Sequence, residues 1–247
     1  AYLLEGEEGF AFVEAPDWRT KLAKEARDDA RQNGRTPLLA HQWAEVQAMV
    51  PTIRRQLETH ERPIPFTSGK PEQTLVWQEF AGPNHQEPVW CRARLDWLHD
   101  TQKTIDDLKT TGASANPDIW TRGALFSSGY DVQAAFYLRG LRAIFRAAVE
   151  PVFRFVVVEN FAPFALSVIA LGPEALALAD RKVTHAINIW RECLTHGEWS
   201  GYPSRTCYAE VPGWEEQRWA EREFRETPGP VIDDGRPVSE QLFGDPP

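Results

Sequence analysis

Cysteine is scarce: Cys91, Cys193 and Cys207 are the only three in 247 residues. An odd, widely spaced set makes no disulfide framework. No CxxC spacing occurs, so no zinc site is expected, and all three read as free thiols. Long hydrophobic runs are missing too. None reaches the ~18 residues that a membrane span needs. The longest candidates, VFRFVVVENFAPFALSVIALG and the helical text around Ala175–Val183, are broken by charge or proline. The opening AYLLEGEEGF has neither the basic nor the apolar region of a signal peptide. A cytoplasmic protein with no membrane partner is the expectation. No internal repeat is visible. Excess positive charge is also lacking, because the net charge is −9. Alone, that balance argues against a nucleic-acid partner. The deficit is uneven, however. From Glu198 onward eleven acidic side chains face five basic ones, whereas residues 81–150 are balanced. The net charge of a whole chain does not decide what its cleft binds.

The chain has ordinary globular composition, with 42% hydrophobic residues. APDWRTKLAKEARDDARQNGRTPLL is charged, helix-compatible text that includes a glycine stop. TPLLAHQWAEVQAMVPTIRRQLETH carries Leu39, Trp43, Val46, Met49 or Val50, Ile53 and Leu57 at helical spacing, with a kink expected at Pro51. Three strand-like runs follow, QTLVWQEF, PVWCRARLDWL and KTIDDLKTT. GASANPDIWTRGALFSSG is a long irregular connection, and such loops are often functional. YDVQAAFYLRGLRAIFRAA reads as a helix facing a core. VFRFVVVEN and FALSVIALG read as two more strands. PEALALADRKVTHAINIWRECLTHG opens with Pro and closes with Gly, the punctuation of a helix. Mixed strands and helices predict an α/β or α+β class, with a central mixed sheet of about five strands flanked by helices. One domain is expected over 1–205, with a helical N-terminal segment over 1–65, a sheet core over 72–171 and a helix over 173–196. Residues 206–247 read as a polar, acidic, partly disordered tail, most of it from Glu226 onward.

The stretch Arg92–Thr111, RARLDWLHDTQKTIDDLKTT, holds the chemistry. Folded as a hairpin about Thr101 and Gln102, it puts Asp96 opposite Asp107 and Arg94 opposite Lys109. Like charges opposed on one sheet face destabilise a strand pair. Residues two apart on a strand share a face, so Asp107 and Lys109 lie together. A proton, the Lys109 ammonium or a divalent cation would reconcile the two carboxylates. Mg²⁺ takes oxygen ligands, typically one or two carboxylates with water and substrate phosphate. Such a site suits phosphodiester hydrolysis, with Lys109 orienting water and stabilising developing charge. The bland alternative is a surface hairpin whose charges face solvent. A β-bulge would shift the register by one residue.

RLDWL followed by IDDLKTT resembles the D…(D/E)xK signature of the PD-(D/E)xK nuclease superfamily, and more narrowly its RecB-like and RecE-like (exonuclease VIII) branch. In that branch a following helix carries QxxxY, and DVQAAFYLRGL supplies Gln133 and Tyr137 one turn apart on one face. The similarity extends over most of the chain. It implies a restriction-endonuclease-like core. It also implies Mg²⁺ or Mn²⁺ held by Asp96, Asp107 and the Leu108 backbone carbonyl, with Lys109 as the catalytic lysine. Gln133 and Tyr137 would position DNA or that lysine; the bland reading of Tyr137 is a half-buried core aromatic. Asp106 should point to the other face. Glu72 matches an acidic position near the site and is a candidate metal ligand; Glu79 competes with it, and both also read as surface charges. Related enzymes carry a His in the first core helix, and the matching position falls just before Ala1.

The resemblance further implies digestion of linear double-stranded DNA from its 5′ end, a phage-type recombination role, a single-strand annealing partner and a ring-like homo-oligomer. Arg92, Arg94, Arg139, Arg142 and Arg146 are candidates for phosphate contacts, Arg94 first among them for substrate. A solvated helix face is the alternative for Arg142 and Arg146. Trp120 and Phe126 would stack on a base or pack inside the protein. None of His41, His60, His85, His99, His185 and His196 sits at metal spacing with another; His99 lies in the turn beside the site. Two other functions compete. One is a CRISPR-associated or helicase-linked RecB-like nuclease, whose usual iron–sulfur cluster needs four cysteines. The other is a catalytically silent DNA-binding or scaffold module.

Overall fold

The structure is a computed structural model, and it describes residues 2–6, 9–64, 66–80, 88–145 and 150–226. The chain divides into two units, Ala1–Glu198 and Trp199–Pro247.

The first unit is an α+β fold around a mixed five-stranded sheet in the order β3-β4-β5-β6-β7. The strands are β3 (Gly69–Glu79), β4 (Val89–His99), β5 (Thr104–Thr111), β6 (Val152–Glu159) and β7 (Leu166–Ile169). All five fall where alternating or β-branched text predicts them. Within this sheet β5 and β6 are the parallel pair; their crossover contains helix α5 (Tyr130–Phe145). Parallel neighbours need such a crossover because a tight turn cannot reverse the chain twice.

Each face of the sheet has its own helix. Helix α3 (Ala40–Glu58) buries Trp43, Val50, Ile53 and Leu57, four of the positions expected from helical spacing, and runs through Pro51 to Glu58. Val50, Ile53 and Leu57 belong to the cluster that holds Val156 and Val158 of β6. On the other face, Ala134, Leu138 and Leu141 of α5 join Leu75, Trp77, Leu95, Phe153 and Phe155. Alternate residues of β6 thus enter opposite cores, as a strand buried on both faces requires. Gly140 lets α5 approach β3: a Cβ there would stand 2.7 Å from the Trp77 ring. Helix α6 (Pro173–His196) packs on α5 through Ala179 and Val183 against Ala135, and ends at Gly197 with φ +68°.

Two segments differ here from the sequence expectation. Thr36–Leu39, expected at the start of a helix, is strand β2. It pairs in parallel with β1 (Phe10–Val13), after the short α1 (Tyr2–Glu5) and before α3. The residue preceding a proline is driven to extended backbone, and Thr36 precedes Pro37. The charged text before β2 does form a helix, α2 (Lys21–Gln32), capped by the Thr20 hydroxyl accepting from Ala23 N–H at 3.2 Å. The connection after β5 is ordered, with α4 (Pro117–Trp120) and a π-helical turn over Thr121–Leu125. Ala115 ties it down, donating its N–H to Glu159 of β6 at 2.9 Å and accepting from the Ser167 hydroxyl at 2.6 Å.

In the second unit, Gly213–Glu226 forms helix α7, inside the stretch read as a polar tail. None of its residues is buried. Its charges pair along the helix, Arg222 with Glu226 at 2.9 Å and Arg218 with Glu215 at 2.6 Å. The disorder expected for the residues after Glu226 lies outside the described residues. No helix among the described residues is long and apolar enough to cross a membrane.

Candidate active site

The hairpin of β4 and β5 has the phase expected from the sequence, with Trp97 opposite Asp106 and Leu98 opposite Ile105. These two pairs are the whole ladder. Beyond them the strands part, although the same phase would next place Asp96 opposite Asp107. The Asp96 side chain occupies the opening. Its Oδ2 accepts the Leu108 N–H at 2.9 Å, in place of a backbone carbonyl.

The cause of the fork lies in β4 and β3. Leu95 and Leu98 both sit in the core beneath α5, although they are three residues apart. Strict alternation would send them to opposite faces, so β4 slips by one residue between them. On the neighbouring strand, Pro71 pairs with Trp97 and Gln73 with Leu95, while the intervening Glu72 has φ +54° and makes no ladder pair with Asp96. That left-handed backbone strains any side chain with a Cβ, so the irregularity is held by its surroundings.

Asp107 is the chemical centre. Its residue is 1% exposed. Gln133 of α5 donates Nε2–H to Oδ1 at 2.8 Å, and the Lys109 ammonium lies against Oδ2. Burial pushes the Asp107 carboxyl up to about 6; the Lys109 charge opposes the rise and the nearby Asp96 charge adds to it. Lys109 sits 5.1 Å from the centre of the Tyr130 ring and 6.0 Å from that of Phe155. The rings screen the ammonium from water and hold it by cation–π attraction. Tyr130 is stacked in turn on Trp120, with ring centres 5.5 Å apart.

Asp96, Asp107, Leu108, Lys109 and Gln133 are therefore brought together. A strand residue presents its N–H and C=O to the same edge, so the Leu108 carbonyl also faces the fork. Tyr137 lies apart, half-buried and packed edge-on to Phe153 at 6.0 Å. Arg94 is exposed and pairs with Glu72 at 2.5 Å. Glu79 lies elsewhere: it accepts from Trp77 Nε1–H at 2.9 Å and pairs with Arg139, which also holds Asp180. Arg142 pairs with Glu150 at 3.0 Å. Arg146 and His85 lie outside the described residues. Trp120 is buried, and Phe126 is exposed with the Lys182 ammonium 5.6 Å from its ring centre.

Asp106 turns away from Asp107, and the cluster around it went unread in the sequence. Arg154 of β6 is its cross-strand partner and donates to both oxygens, at 2.6 and 2.9 Å. His99 Nε2 lies 2.6 Å from Oδ2. One buried carboxylate thus ties β4, β5 and β6 together beside the fork. Tyr130 was missed as well. Its signal was present, since it lies three residues before Gln133 on the same helical face.

The donor set suits a hard divalent cation. Asp96 and Asp107 converge with the Leu108 carbonyl, close enough that the Asp96 charge helps to raise the Asp107 carboxyl, and Asp107 Oδ2 meets the Lys109 ammonium alone. Mg²⁺ is commonly held by one or two protein carboxylates, with water and substrate oxygens completing the shell. No group of three or more His, Cys, Asp or Glu side chains placed to hold a metal occurs among the described residues.

A five-stranded mixed sheet with D…DxK at the parting of two antiparallel strands, between helices, is a PD-(D/E)xK-like nuclease fold. The chain belongs to the family described as PDDEXK-like domain of unknown function (DUF3799), which it matches over residues 2–210. Among solved structures it is similar to a candidate exonuclease from Eubacterium rectale, with 14% identity, TM-score 0.48, 78% of this chain and 73% of that chain covered. It is also similar to the protein SSO0001, with 12% identity, TM-score 0.33, and 74% and 77% covered. No curated protein matches the chain.

Proposed function

We propose that this chain is a Mg²⁺- or Mn²⁺-dependent exodeoxyribonuclease of the exonuclease VIII type, in the RecB/RecE-like branch. It degrades linear double-stranded DNA from the 5′ end, as a ring-like homo-oligomer, within phage-type homologous recombination. The 3′ strand it leaves would pass to a single-strand annealing protein. One observation carries the reading: Gln133 of the QxxxY helix reaches the same Asp107 that Lys109 touches, across the fork from Asp96. One residue from each of the three sequence elements behind the resemblance is thus gathered around the fork.

Asp96, Asp107 and the Leu108 carbonyl would hold the metal, with Glu72 as a further ligand. A bound divalent cation would supply Lewis-acid polarisation of a phosphoryl oxygen and neutralise charge there. The protein's own groups do the rest. Gln133 fixes the rotamer of Asp107 by bonding Oδ1, so a cation would meet the carboxylate at Oδ2, in competition with the Lys109 ammonium. Lys109, screened by Tyr130 and Phe155, supplies a positive charge beside the phosphate, where it orients the attacking water and stabilises the developing negative charge. Arg94 lies on β4 two residues from Asp96, placed for a phosphate contact that positions the strand.

The test is digestion of end-labelled linear duplex DNA with Mg²⁺, beside Lys109→Ala and a closed circular control. Loss of the 5′ label first, from linear DNA only and not with Lys109→Ala, is the expected result. Cleavage of circles would replace the exonuclease with an endonuclease. No cleavage of any DNA, with binding retained, would leave a silent DNA-binding module.

A further inference from the structure

On the outer face of β3 and β4 one stripe of side chains is left uncovered. Along β4 it runs Trp90, Arg92, Arg94, and the cross-strand partners on β3 are Gln78, Val76 and Thr74. Trp90 is 68% exposed and Val76 52%, and the Arg94 side chain is 71% exposed. Among the described residues of the first unit, no helix seals this half of the sheet as α3 seals β6. An exposed indole beside an exposed valine is a cost that a solvent-facing strand does not need to bear.

Charge and spacing select the occupant. The chain as a whole is acidic, at −9, yet this stripe holds two guanidiniums and no carboxylate between Thr74 and Gln78 or between Trp90 and Arg94. The first acid reached is Glu72, already paired with Arg94. Arg92 has no ion pair or hydrogen bond to any described residue. Alternate strand positions stand about 6.7 Å apart, which suits the phosphates of an extended nucleic-acid strand. A duplex hides its base faces in the stack; an exposed indole on a flat sheet can be stacked only by an unpaired base. The next alternate position after Arg94 is Asp96, so a strand following the stripe runs into the fork.

We infer that the outer face of the β3–β4 pair is a platform for single-stranded nucleic acid, with Trp90 stacking on a base and Arg92 and Arg94 contacting phosphates. The inference deepens the nuclease reading and rests on it for the class of ligand. The platform would hold the strand beside the scissile position after its complement has parted.

The test is fluorescence anisotropy of a labelled oligothymidylate with the full chain in EDTA, which prevents cleavage, over a salt series. Trp90→Ala is expected to weaken binding about tenfold without changing the salt slope. Arg92→Ala is expected to lower the slope of log K against log salt by about 0.7, the share of one phosphate contact. Both residues are exposed, and an unchanged melting temperature checks their folding. Three results would overturn the platform: no binding by the parent chain, binding indifferent to both substitutions, or a change of oligomeric mass in Trp90→Ala with binding intact, which would mark a protein interface. Digestion is assayed alongside. Trp90-dependent binding without cleavage keeps the platform and removes the nuclease; cleavage with Trp90-independent binding does the reverse.

Discussion

The Leu108 N–H donates to the Asp96 carboxylate across 2.9 Å at the point where β4 and β5 stop pairing. A side chain of one strand thereby replaces the backbone carbonyl that an intact ladder would have offered. The exchange keeps Asp96 in the opening, beside Asp107, without stranding a buried donor.

Asp107 predicts a pH dependence with a definite sign. Its folded value, about 6, lies above the ordinary value of 3.8, so between these the folded state holds more of its proton than the unfolded state does. Its contribution to stability is fully present below about pH 4 and is lost as pH rises through about 6. Urea unfolding of the metal-free protein should show that decline, and Asp107→Asn should lack it. Metal binding needs the carboxylate, so the Mn²⁺-induced rise in melting temperature should shrink below about pH 6 and vanish in Asp107→Asn.

Under the proposed function Lys109 would separate metal binding from chemistry. Its ammonium lies on Asp107 Oδ2, where a bound cation would compete with it. Lys109→Ala should keep the Mn²⁺-induced stabilisation at pH 8 and lower the rate of DNA digestion at least about 10²-fold. Loss of the stabilisation together with the rate would place Lys109 in a structural role.

Gln133 acts through Asp107. Gln133→Leu should remove the 2.8 Å bond and weaken Mn²⁺ affinity about 10- to 100-fold, the usual cost of losing a group that orients a metal ligand. Titration calorimetry reads this directly. Tyr137→Phe should leave the affinity unchanged, because the ring packs on Phe153 rather than on the site.

Arg154→Ala would leave the Asp106 carboxylate, whose side chain is fully buried, with only His99. Breaking a buried pair from one side costs about 3–5 kcal/mol. Denaturant unfolding at pH 7 should show a loss of that order. A loss under about 1 kcal/mol would mean that water reaches the carboxylate.

Most of the sheet, and most of the residues that gather at the fork, were legible in local sequence. Period-two alternation and β-branched runs marked all five strands, because a half-buried strand must alternate and a buried one must be apolar. Helical spacing placed α3, α5 and α6 for the same kind of reason. The phase that directs Asp96 toward Asp107 followed from the turn alone, since hairpin phase is set within a few residues. The DxK and QxxxY spacings are equally local. Tertiary structure decided the rest. The slip between Leu95 and Leu98, the left-handed Glu72 and the two-pair limit of the hairpin arise where β4 must satisfy both β3 and the core under α5. That Gln133 and Tyr130, rather than Tyr137, reach Asp107 and Lys109 depends on how α5 lies across the sheet, which Gly140 permits by admitting the Trp77 ring. Arg154 meets Asp106 only because β5 and β6 pair in parallel after a long crossover, and spacing along a chain carries no record of such a meeting.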